Sequence, residues 1–347
     1  MLKRWFVIGG LVFVFLTAAG VGGWWYVRRE LAPLPAGDAV EITLPKGASF
    51  AEVATILEEH GLIRNAQVFT WYVKLKAPED ASRIKAGVYR LAPGETPDDV
   101  LLHLVRGDVY VETDTFTIPE GWTVEEMAEL LEQKGIVRRE DFLQAANKTY
   151  EDVKYMDKIP EDRPGRKYLL EGYLFPDTYA IAKGESAESI VRRMLKRFSD
   201  IVGDDFEQKA LRLGLTFDEA VTLASMIEKE AVLDEERPKI AGVFYNRLRE
   251  RWRLESCATV EYVLETHKAR LTLKDLEVDD PYNTYRAEGL PPGPIASPGK
   301  ASLLAAVAPE EHDFFFFVAK EDGSGGHYFS KTYEEHLKQG AKSRGSF

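Results

Sequence analysis

The sequence predicts an α+β protein in three parts: an N-terminal transmembrane helix, small α+β units, and a mixed α+β domain toward the C-terminus. Three observations predict it. Residues 5–27 carry no charged side chain. After them, short segments in which apolar residues recur at helical spacing alternate with short segments in which they recur at strand spacing, and neither kind forms long runs. The chain has 347 residues, of which 45% are hydrophobic and 29% charged, so it is long enough and apolar enough for more than one folded domain.

The overall charge and the cysteine count exclude several classes of protein. The formal net charge is −12, so the chain lacks the basic surface with which general nucleic-acid binders hold phosphates. Cys257 is the single cysteine, which excludes an intrachain disulfide, cysteine-based zinc sites and iron–sulfur clusters. His327 and His336 are not spaced to share one helix face. We therefore expect no metal and no cofactor.

The uncharged run Trp5–Val27 is long enough to span a hydrocarbon core of about 30 Å. Basic residues flank it on both sides, and two tryptophans and a tyrosine close it as an aromatic belt. A cleaved signal peptide is the alternative, but the small residues 17–19 are a poor cleavage site and the apolar run continues past them. We expect an uncleaved anchor with a cytoplasmic head (residues 1–29), then a proline-containing linker (30–38), with the rest of the chain extracytoplasmic.

Residues 39–150 contain a weak internal repeat at an offset of 74 positions. One copy reads VEITLPKGASFAEVATILEEHGLIR and the other FTIPEGWTVEEMAELLEQKGIVR. Each copy predicts a strand, a Pro-x-Gly turn, and a helix capped by Ser49 or Thr123. Another helix is predicted over 96–104. These units resemble LysM-type modules, which bind N-acetylglucosamine polymers. A scaffold or spacer is the alternative interpretation.

The last block, residues 151–347, is predicted to be a mixed α+β domain. A helix is predicted over 187–198. The run 314–319 is apolar and of strand length, which predicts a strand buried on both faces. The glycine-rich turn at 322–326 then predicts a hairpin whose second strand is 327–329.

The most informative segment is a predicted helix that begins after the capping-box pair Thr216 and Glu219. At helical spacing, Glu228 falls in line with the apolar residues at 217, 221 and 224, whereas Glu230 lies at the edge of that stripe. A carboxyl group in an apolar setting tends to keep its proton, and a protonated carboxylic acid can protonate a leaving oxygen. The alternative is a structural glutamate that pairs with a buried arginine or caps a backbone group.

Several strings around this helix are rich in Tyr, Asn, Gly and Pro. Such loops suit a sugar site, because aromatic faces stack on pyranose rings and amides bind hydroxyl and N-acetyl groups. With the helix they form the set LEGYLFPDTY, ASMIEKE, FYNRL, YNTY, GLPPGPI and GGHYFS. This set, over nearly the whole chain, closely resembles the endolytic murein transglycosylases, which are membrane-anchored enzymes that cut nascent peptidoglycan strands.

The resemblance implies roles for individual residues. The family's catalytic glutamate is the first acid of the EKE string, which is Glu228 here. Our candidates for holding the sugar are Tyr282, Asn283 and Tyr285, followed by Asn246 and Arg247. Arg247 could instead pair with one of the two acids of the EKE string, and His327 could line the groove or lie in the core. The chain departs from the family pattern at Glu255, Cys257 and Ala258, where many members have Gln, Asp and Pro.

The resemblance further implies lytic cleavage between N-acetylmuramic acid and N-acetylglucosamine with one carboxyl group. The product would be a 1,6-anhydromuramoyl end, formed at the inner membrane as a step that terminates strand elongation. Peptidoglycan strands and, with them, peptidoglycan synthases (penicillin-binding proteins) are the implied partners. Two alternatives remain: a hydrolytic N-acetylmuramidase using Asp279 or Asp280 as a second carboxylate, and a non-catalytic glycan-binding scaffold.

Overall fold

The computed structural model describes residues 17–265 and 271–345, and their fold is mixed α+β, as the sequence predicts. Its internal contacts divide the chain into two compact units, Met1–Glu112 and Thr113–Phe347. This division lies inside the predicted repeat region 39–150, so each copy of the repeat belongs to a different unit. The predicted boundary at residue 150 falls within the second unit.

The first unit is built around one antiparallel strand pair. Its described elements are helix α1 (residues 17–30), β1 (Val40–Leu44), α2 (Phe50–Glu59), α3 (Ala66–Lys76), β2 (Gly87–Leu91) and α4 (Pro97–Arg106). Strand β1 pairs with β2, with Ile42 opposite Tyr89, and both of these residues are buried in the core of the unit. The predicted Ser49 cap is confirmed as a capping box, and Thr96 caps α4.

The predicted membrane segment Trp5–Val27 begins outside the described residues. Its described part, 17–27, belongs to α1 and is exposed. Within 17–265 and 271–345, no helix combines the length and the apolar character needed to cross a membrane.

The second unit contains the remaining elements. They are β3 (Thr113–Thr117), α5 (Val124–Gln133), α6 (Arg139–Ala145), β4 (Thr178–Ala182), α7 (Ala187–Val202), α8 (Phe206–Arg212), α9 (Phe217–Glu230), α10 (Arg237–Arg249), α11 (Cys257–Leu264), α12 (Lys300–Ala306), β5 (Phe316–Ala319), β6 (His327–Ser330) and α13 (Tyr333–Arg344). Strands β3 and β4 pair antiparallel, and so do β5 and β6. The second repeat copy therefore follows the same β–α–α–β order as the first.

Helix α9 is the central element of the second unit. It begins with the predicted capping box of Thr216 and Glu219, and every residue from Ala220 to Ile227 is buried. Helices α10 and α12 pack against it. Because α9 is enclosed on several sides and not only along one stripe, it positions the residues at its C-terminal end rigidly.

Strand β5 differs from its prediction. The β5–β6 hairpin is confirmed, with Phe317 opposite Phe329, but β5 is not buried on both faces. Phe316 is buried, whereas Phe317 and Val318 are half-buried. Helices α13 and α10 pack against β5, and they leave Phe317 and Val318 partly accessible.

Candidate active site

The C-terminal end of α9 places Glu228 in a pocket of polar contacts. Its side chain is 7% exposed. The backbone N–H of Gly299 donates a 2.9 Å hydrogen bond to Oε2 of Glu228, and Nη1 of Arg237 lies 3.3 Å from the same oxygen. No hydrogen bond from the residues that the structure describes reaches Oε1. The described residues therefore hold the carboxyl group through one oxygen, Oε2.

Arg237 is itself fixed in place. It is the first residue of α10 and is 6% exposed. Its Nε donates to Asp234 at 2.8 Å, and its Nη1 donates to the Ser302 hydroxyl. Because these contacts fix the plane of the guanidinium, Arg237 has a defined direction from which to hold Glu228.

This setting differs from the apolar one predicted for Glu228. The helix face is apolar as expected, but α9 ends at Glu230, so the carboxyl group extends past the packed stripe. There it meets a guanidinium and a backbone amide, and both of these favour the ionised form of a carboxylate. The structure therefore gives Glu228 a polar setting at the end of an apolar helix face.

The Pro-x-Gly turn of the second repeat copy, residues 119–121, lies against the same site. The N–H of Gly121 donates to the carbonyl of Ser297 at 2.9 Å, and Lys229 donates to the carbonyl of Gly121 at 3.3 Å. A Cβ built on Gly121 would lie 3.7 Å from Cγ of Glu228. The turn is therefore a wall of the site as well as part of the repeat.

Glu120 extends from this turn over Gly299. A Cβ built on Gly299 would lie 2.0 Å from Oε1 of Glu120, so the Glu120 carboxylate occupies the space next to that glycine. Gly299 in turn donates its N–H to Glu228. Burial, and after it the negative charge of Glu228, raise the pKa of Glu120, whereas Arg237 lowers it. The carboxyl groups of Glu120 and Glu228 therefore both lie against Gly299, and both interact with the charge of Arg237.

Glu230 lies in a separate polar contact. The Ser256 hydroxyl donates to Oε1 of Glu230, and the residue is half-buried. Burial raises the pKa of Glu230, and the Ser256 bond opposes that rise. The residue predicted to lie at the edge of the stripe is therefore withdrawn from water, but its contacts are not those of Glu228.

Tyr282 and Asn283 are buried inside their own loop. Tyr282 is 2% exposed, and its ring packs on Tyr262 with centroids 4.9 Å apart. The Asn283 amide donates to the carbonyls of Leu276 and Val278. In this structure neither side chain is placed to touch a sugar, because the ring faces of Tyr282 and the amide of Asn283 hold the loop together.

Tyr285 is the candidate of this string nearest the surface. It is half-buried, and its hydroxyl lies 3.1 Å from Sγ of Cys257. Burial, followed by the contact with Cys257, raises the pKa of Tyr285. Cys257, one of the positions at which the sequence departs from the family pattern, is therefore in direct contact with Tyr285, a candidate for holding the sugar.

Asn246 and Arg247 connect α10 to the segment that leads into β5. The Asn246 amide donates to the carbonyls of His312 and Phe314, each at 2.8 Å. Arg247 donates to the carbonyl of Phe315 at 2.7 Å and contacts Glu255. Its described ion pair is with Glu255, and neither acid of the EKE string pairs with it. The structure thus gives both residues supporting contacts.

His327 is 8% exposed and binds Glu236. Its Nδ1 lies 2.7 Å from Oε2 of Glu236, and its backbone N–H donates to the other carboxylate oxygen at 3.0 Å. Glu236 belongs to the short 3₁₀ turn between α9 and α10. His327 therefore ties the β5–β6 hairpin to the segment that carries Asp234 and leads to Arg237.

The alternative second carboxylates lie elsewhere. The Asp279 side chain is 96% exposed and pairs with Arg286, and Asp280 accepts the backbone N–H of Tyr282 at 2.8 Å. Residues 17–265 and 271–345 contain no group of three or more His, Cys, Asp or Glu side chains arranged to hold a metal ion. The carboxyl group that does accompany Glu228 is Glu120.

Sequence reasoning did not identify Glu120, Arg237 or Gly299 as site residues. In the sequence, Glu120 belongs to the Pro-x-Gly turn of the second repeat copy, and Gly299 belongs to a loop rich in Pro and Gly. Each string by itself predicts only a turn. Nothing in the sequence indicates that residues 120, 228 and 299 meet, because the three belong to segments far apart in the chain.

A cavity of about 250 Å³ lies on the Lys229 side of the site. Charged side chains of both signs line much of it, among them Glu126, Lys167 and Glu261, together with the Tyr262 ring. Glu228 is not among the lining residues. The cavity is therefore a neighbouring subsite candidate and does not contain the carboxyl group.

Glu171 lies buried beside this cavity. It accepts the N–H of Val124 at 3.0 Å and the hydroxyl of Tyr262 at 3.1 Å. Burial raises the pKa of Glu171 to about 8, and both hydrogen bonds oppose that rise. Glu171 thereby joins the start of α5 to α11 without reaching the Glu228 carboxyl.

The model of the YceG-like family matches residues 42–342. The chain belongs to this family. The similarity to curated relatives also extends over most of the chain. The chain is 33% identical, over 329 residues, to a protein of Bacillus subtilis (strain 168) named endolytic murein transglycosylase. The match covers 91% of this chain and 89% of that one. A protein of the same name from Streptococcus pneumoniae serotype 2 is 32% identical over 95% of this chain, which spans 64% of that relative.

The family is also represented among solved structures. A crystal structure of a yceG-like protein from Listeria monocytogenes is 35% identical, with a TM-score of 0.58. The match covers 87% of this chain and 98% of the Listeria chain. Sequence and fold comparisons therefore agree on the family.

Proposed function

We propose that this protein is an endolytic peptidoglycan lytic transglycosylase whose general acid is Glu228. The observation that carries the proposal is the geometry of this one side chain. It is held through Oε2 by Arg237 and Gly299, and it leaves Oε1 to a substrate. Membership of a family with relatives named endolytic murein transglycosylases supplies the substrate class.

The first chemical step is proton transfer from Glu228. The substrate bond joins C1 of N-acetylmuramic acid to O4 of N-acetylglucosamine. As the bond breaks, Oε1 of Glu228 gives its proton to O4, and positive charge develops at C1 and the ring oxygen. The muramoyl 2-acetamido group stabilises that charge, so no second protein nucleophile is required.

The second step returns the proton to the same side chain. The 6-hydroxyl of the muramoyl residue closes onto C1, and its proton passes to the Glu228 carboxylate. The product is a 1,6-anhydromuramoyl end, and no water is consumed. Because Arg237 and Gly299 stabilise the ionised form, they lower the cost of the intermediate in which Glu228 carries a negative charge.

Mass spectrometry of the released muropeptides tests this proposal. The wild-type protein should release fragments with anhydro ends from peptidoglycan, and Glu228→Gln should release almost none. Products heavier by one water molecule would indicate a hydrolase instead. Absence of any cleavage by folded wild-type protein would favour the scaffold alternative.

We further propose that residues 5–27 anchor the protein in the cytoplasmic membrane with its catalytic unit outside. The uncharged run and its aromatic and basic flanks support this placement. An alkaline phosphatase fused to the C-terminus should be active and remain with the membrane fraction. Activity in the soluble fraction would contradict an uncleaved anchor.

The first unit is proposed to bind glycan as a LysM-like module. Its β–α–α–β order, and the same order in the second copy, support the comparison. The appropriate deletion is 39–112, because removing the second copy as well would take β3 and α5 out of the core of the catalytic unit. Glycan binding predicts a raised KM on long strands with kcat on short chains unchanged. An unchanged KM would contradict it.

The partners that we propose are the synthases that supply nascent strands. An enzyme that cuts strands during their synthesis needs access to them near the membrane, where the anchor would hold it. Crosslinking of the anchored protein in growing cells, followed by identification of the captured chains, tests this. The proposal is supported if synthases are captured when the anchor is present and are no longer captured after the anchor is replaced by a cleavable signal. Capture of synthases that is unaffected by this replacement would contradict it.

A further inference from the structure

Helix α3 has an apolar side that the core of the first unit does not use. Its buried residues Phe69 and Val73 belong to that core. Trp71 and Leu75, by contrast, are 70% and 78% exposed. At about 100° per residue, Trp71 lies roughly 160° around the helix from both buried residues. A surface helix of a soluble domain usually carries polar residues on that side, so α3 has a second apolar face that is directed to solvent.

The repeat fold does not require this second face. Helix α6 has the corresponding place in the second copy of the repeat, and it buries Phe142 as α3 buries its own phenylalanine. The exposed residues of α6 are the polar residues Glu140 and Gln144. Exposed large apolar side chains therefore distinguish α3 from its counterpart, and the common fold does not explain them.

The end of the uncharged run lies beside this face. An open groove of about 660 Å³ is lined by Tyr26 and Val27 together with Val68, Trp71 and Leu75. Tyr26 belongs to the aromatic belt of the proposed anchor, and such belts lie at the level of the lipid headgroups. Because Trp71 shares one groove with Tyr26, the exposed face of α3 lies close to that level.

Hydrogen bonds tie the end of α1 to the segment that precedes α3. The guanidinium of Arg64 donates to the carbonyl of Ala32 at 3.1 Å and to that of Pro33 at 3.2 Å. Arg64 directly precedes Asn65, whose side chain caps α3. The segment after α1 is therefore attached to the first unit, and α3 keeps its place beside the end of the anchor.

The charge of α3 suits an anionic surface. The helix contains no acidic residue, although the whole chain has a net charge of −12. Lys74 and Lys76 lie in its last turn, and Arg28 and Arg29 follow the aromatic belt of the anchor. Lys76 also pairs with Asp98 at 2.5 Å. Basic residues beside exposed Trp and Leu are typical of helices that lie in the headgroup region of anionic bilayers.

We infer that α3 is a second membrane contact of this protein, with Trp71 and Leu75 inserted at the headgroup level of an anionic phospholipid bilayer next to the anchor. The inference rests on the proposed anchor, residues 5–27, and adds a binding surface that an anchor by itself does not imply. The contact holds the first unit against the bilayer, and the Lys74 ammonium binds lipid phosphates. A second copy of the chain is the competing occupant of this face.

Photo-crosslinking from position 71 tests the inference. The full-length chain, with benzoylphenylalanine in place of Trp71, is reconstituted into vesicles of phosphatidylglycerol and phosphatidylcholine and illuminated. We expect phospholipid adducts on the peptide that contains position 71, with a lower yield in vesicles of phosphatidylcholine alone. Leu75→Glu should reduce the yield by about fivefold, because a carboxylate one turn away resists dehydration and is repelled by anionic lipid. Leu211→Glu makes the same change at an exposed leucine of the second unit and should leave the yield unchanged.

Three outcomes would overturn the inference and leave the anchor intact. One is a chain that floats with the vesicles but forms no lipid adduct at position 71. Another is an adduct to a second copy of the chain, which would show that protein covers the face. The third is an equal yield in Leu75→Glu and Leu211→Glu. A chain that does not float with the vesicles would contradict the anchor itself, so the two failures are distinguishable.

Discussion

Arg237 holds Glu228 by a single oxygen: its Nη1 lies 3.3 Å from Oε2, and no group in the described part of the chain donates to Oε1. The two residues lie on consecutive helices joined by a short segment with a 3₁₀ turn, and Asp234 of that turn orients the guanidinium. An arginine that bound both oxygens would compete with the substrate for the acid. Contact through one oxygen allows Glu228 to be fixed and reactive at the same time.

Glu228→Gln should lower anhydro-product formation by about 10²–10⁴-fold, because an amide cannot donate a carboxyl proton. The substitution keeps the size of the side chain, so the melting temperature should stay near that of wild type. Muropeptide release measured by mass spectrometry, with circular dichroism as the folding check, tests this. Glu230→Gln is the matched control and should lose far less, since its contact is with Ser256. Equal losses in two folded variants would refute the assignment.

Gly299→Ala should disturb the site without unfolding the protein. The backbone of Gly299 (φ −74°, ψ 171°) suits alanine, but the new Cβ would displace the Glu120 carboxylate. We expect a loss of about tenfold in kcat/KM, because moving the Glu120 carboxylate disturbs the segment whose Gly299 N–H positions Glu228. Gly340→Ala is the control, because its Cβ would meet only Arg344, at 3.9 Å. Wild-type kinetics for Gly299→Ala would contradict this expectation.

Tyr282→Ala should act on stability and not directly on sugar binding. The ring is 2% exposed and packs on Tyr262, so its removal leaves a cavity that costs about 3–5 kcal/mol. Tyr282→Phe should cost about 1 kcal/mol, since it removes one long hydrogen bond from the backbone of Lys167. Urea unfolding and sacculus binding by the same samples measure both properties. Native stability with weakened glycan binding in Tyr282→Ala would instead place the ring in the groove.

Glu171 should make the stability of the protein fall as the pH rises. Its pKa is about 8 in the folded state and near 4.3 in an unfolded chain, so between these values the folded state binds the extra proton. Ionising Glu171 in the folded state therefore lowers the free energy of unfolding. This loss of stability is absent below about pH 4 and complete above about pH 8. Glu171→Gln has no such proton. Its melting temperature relative to wild type should therefore increase from pH 5 to pH 8. The increase should be about 10 °C, because the difference in pKa corresponds to about 3–4 kcal/mol over this range and each kcal/mol shifts the melting temperature by about 2–4 °C.

A thermal melt series over that pH range checks the Glu171 prediction. The control is Glu151→Gln, which removes an exposed carboxylate from the same unit. Its difference from wild type should stay constant with pH. A constant difference for Glu171→Gln as well would show that Glu171 is ionised in the folded protein throughout the range.

The sequence by itself determined the local elements around the site. The capping boxes at Ser49, Thr123 and Thr216 follow from short-range hydrogen bonds between residues three positions apart, so they are visible in the sequence. The apolar stripe of α9 and the position of Glu228 on it follow from helical periodicity for the same reason. The family also follows from the sequence, because its strings extend over nearly the whole chain.

The tertiary structure alone decided which groups surround Glu228. The contacts of Arg237, Gly299 and Glu120 join four separate segments, and no periodicity or local propensity relates segments so far apart. It also decided that Tyr282 and Asn283 are buried within their loop, since a Tyr–Asn string fits an internal hydrogen-bond network as well as a sugar groove. The chemistry of the acid is therefore encoded locally, whereas its electrostatic setting arises only when distant loops pack against the end of α9.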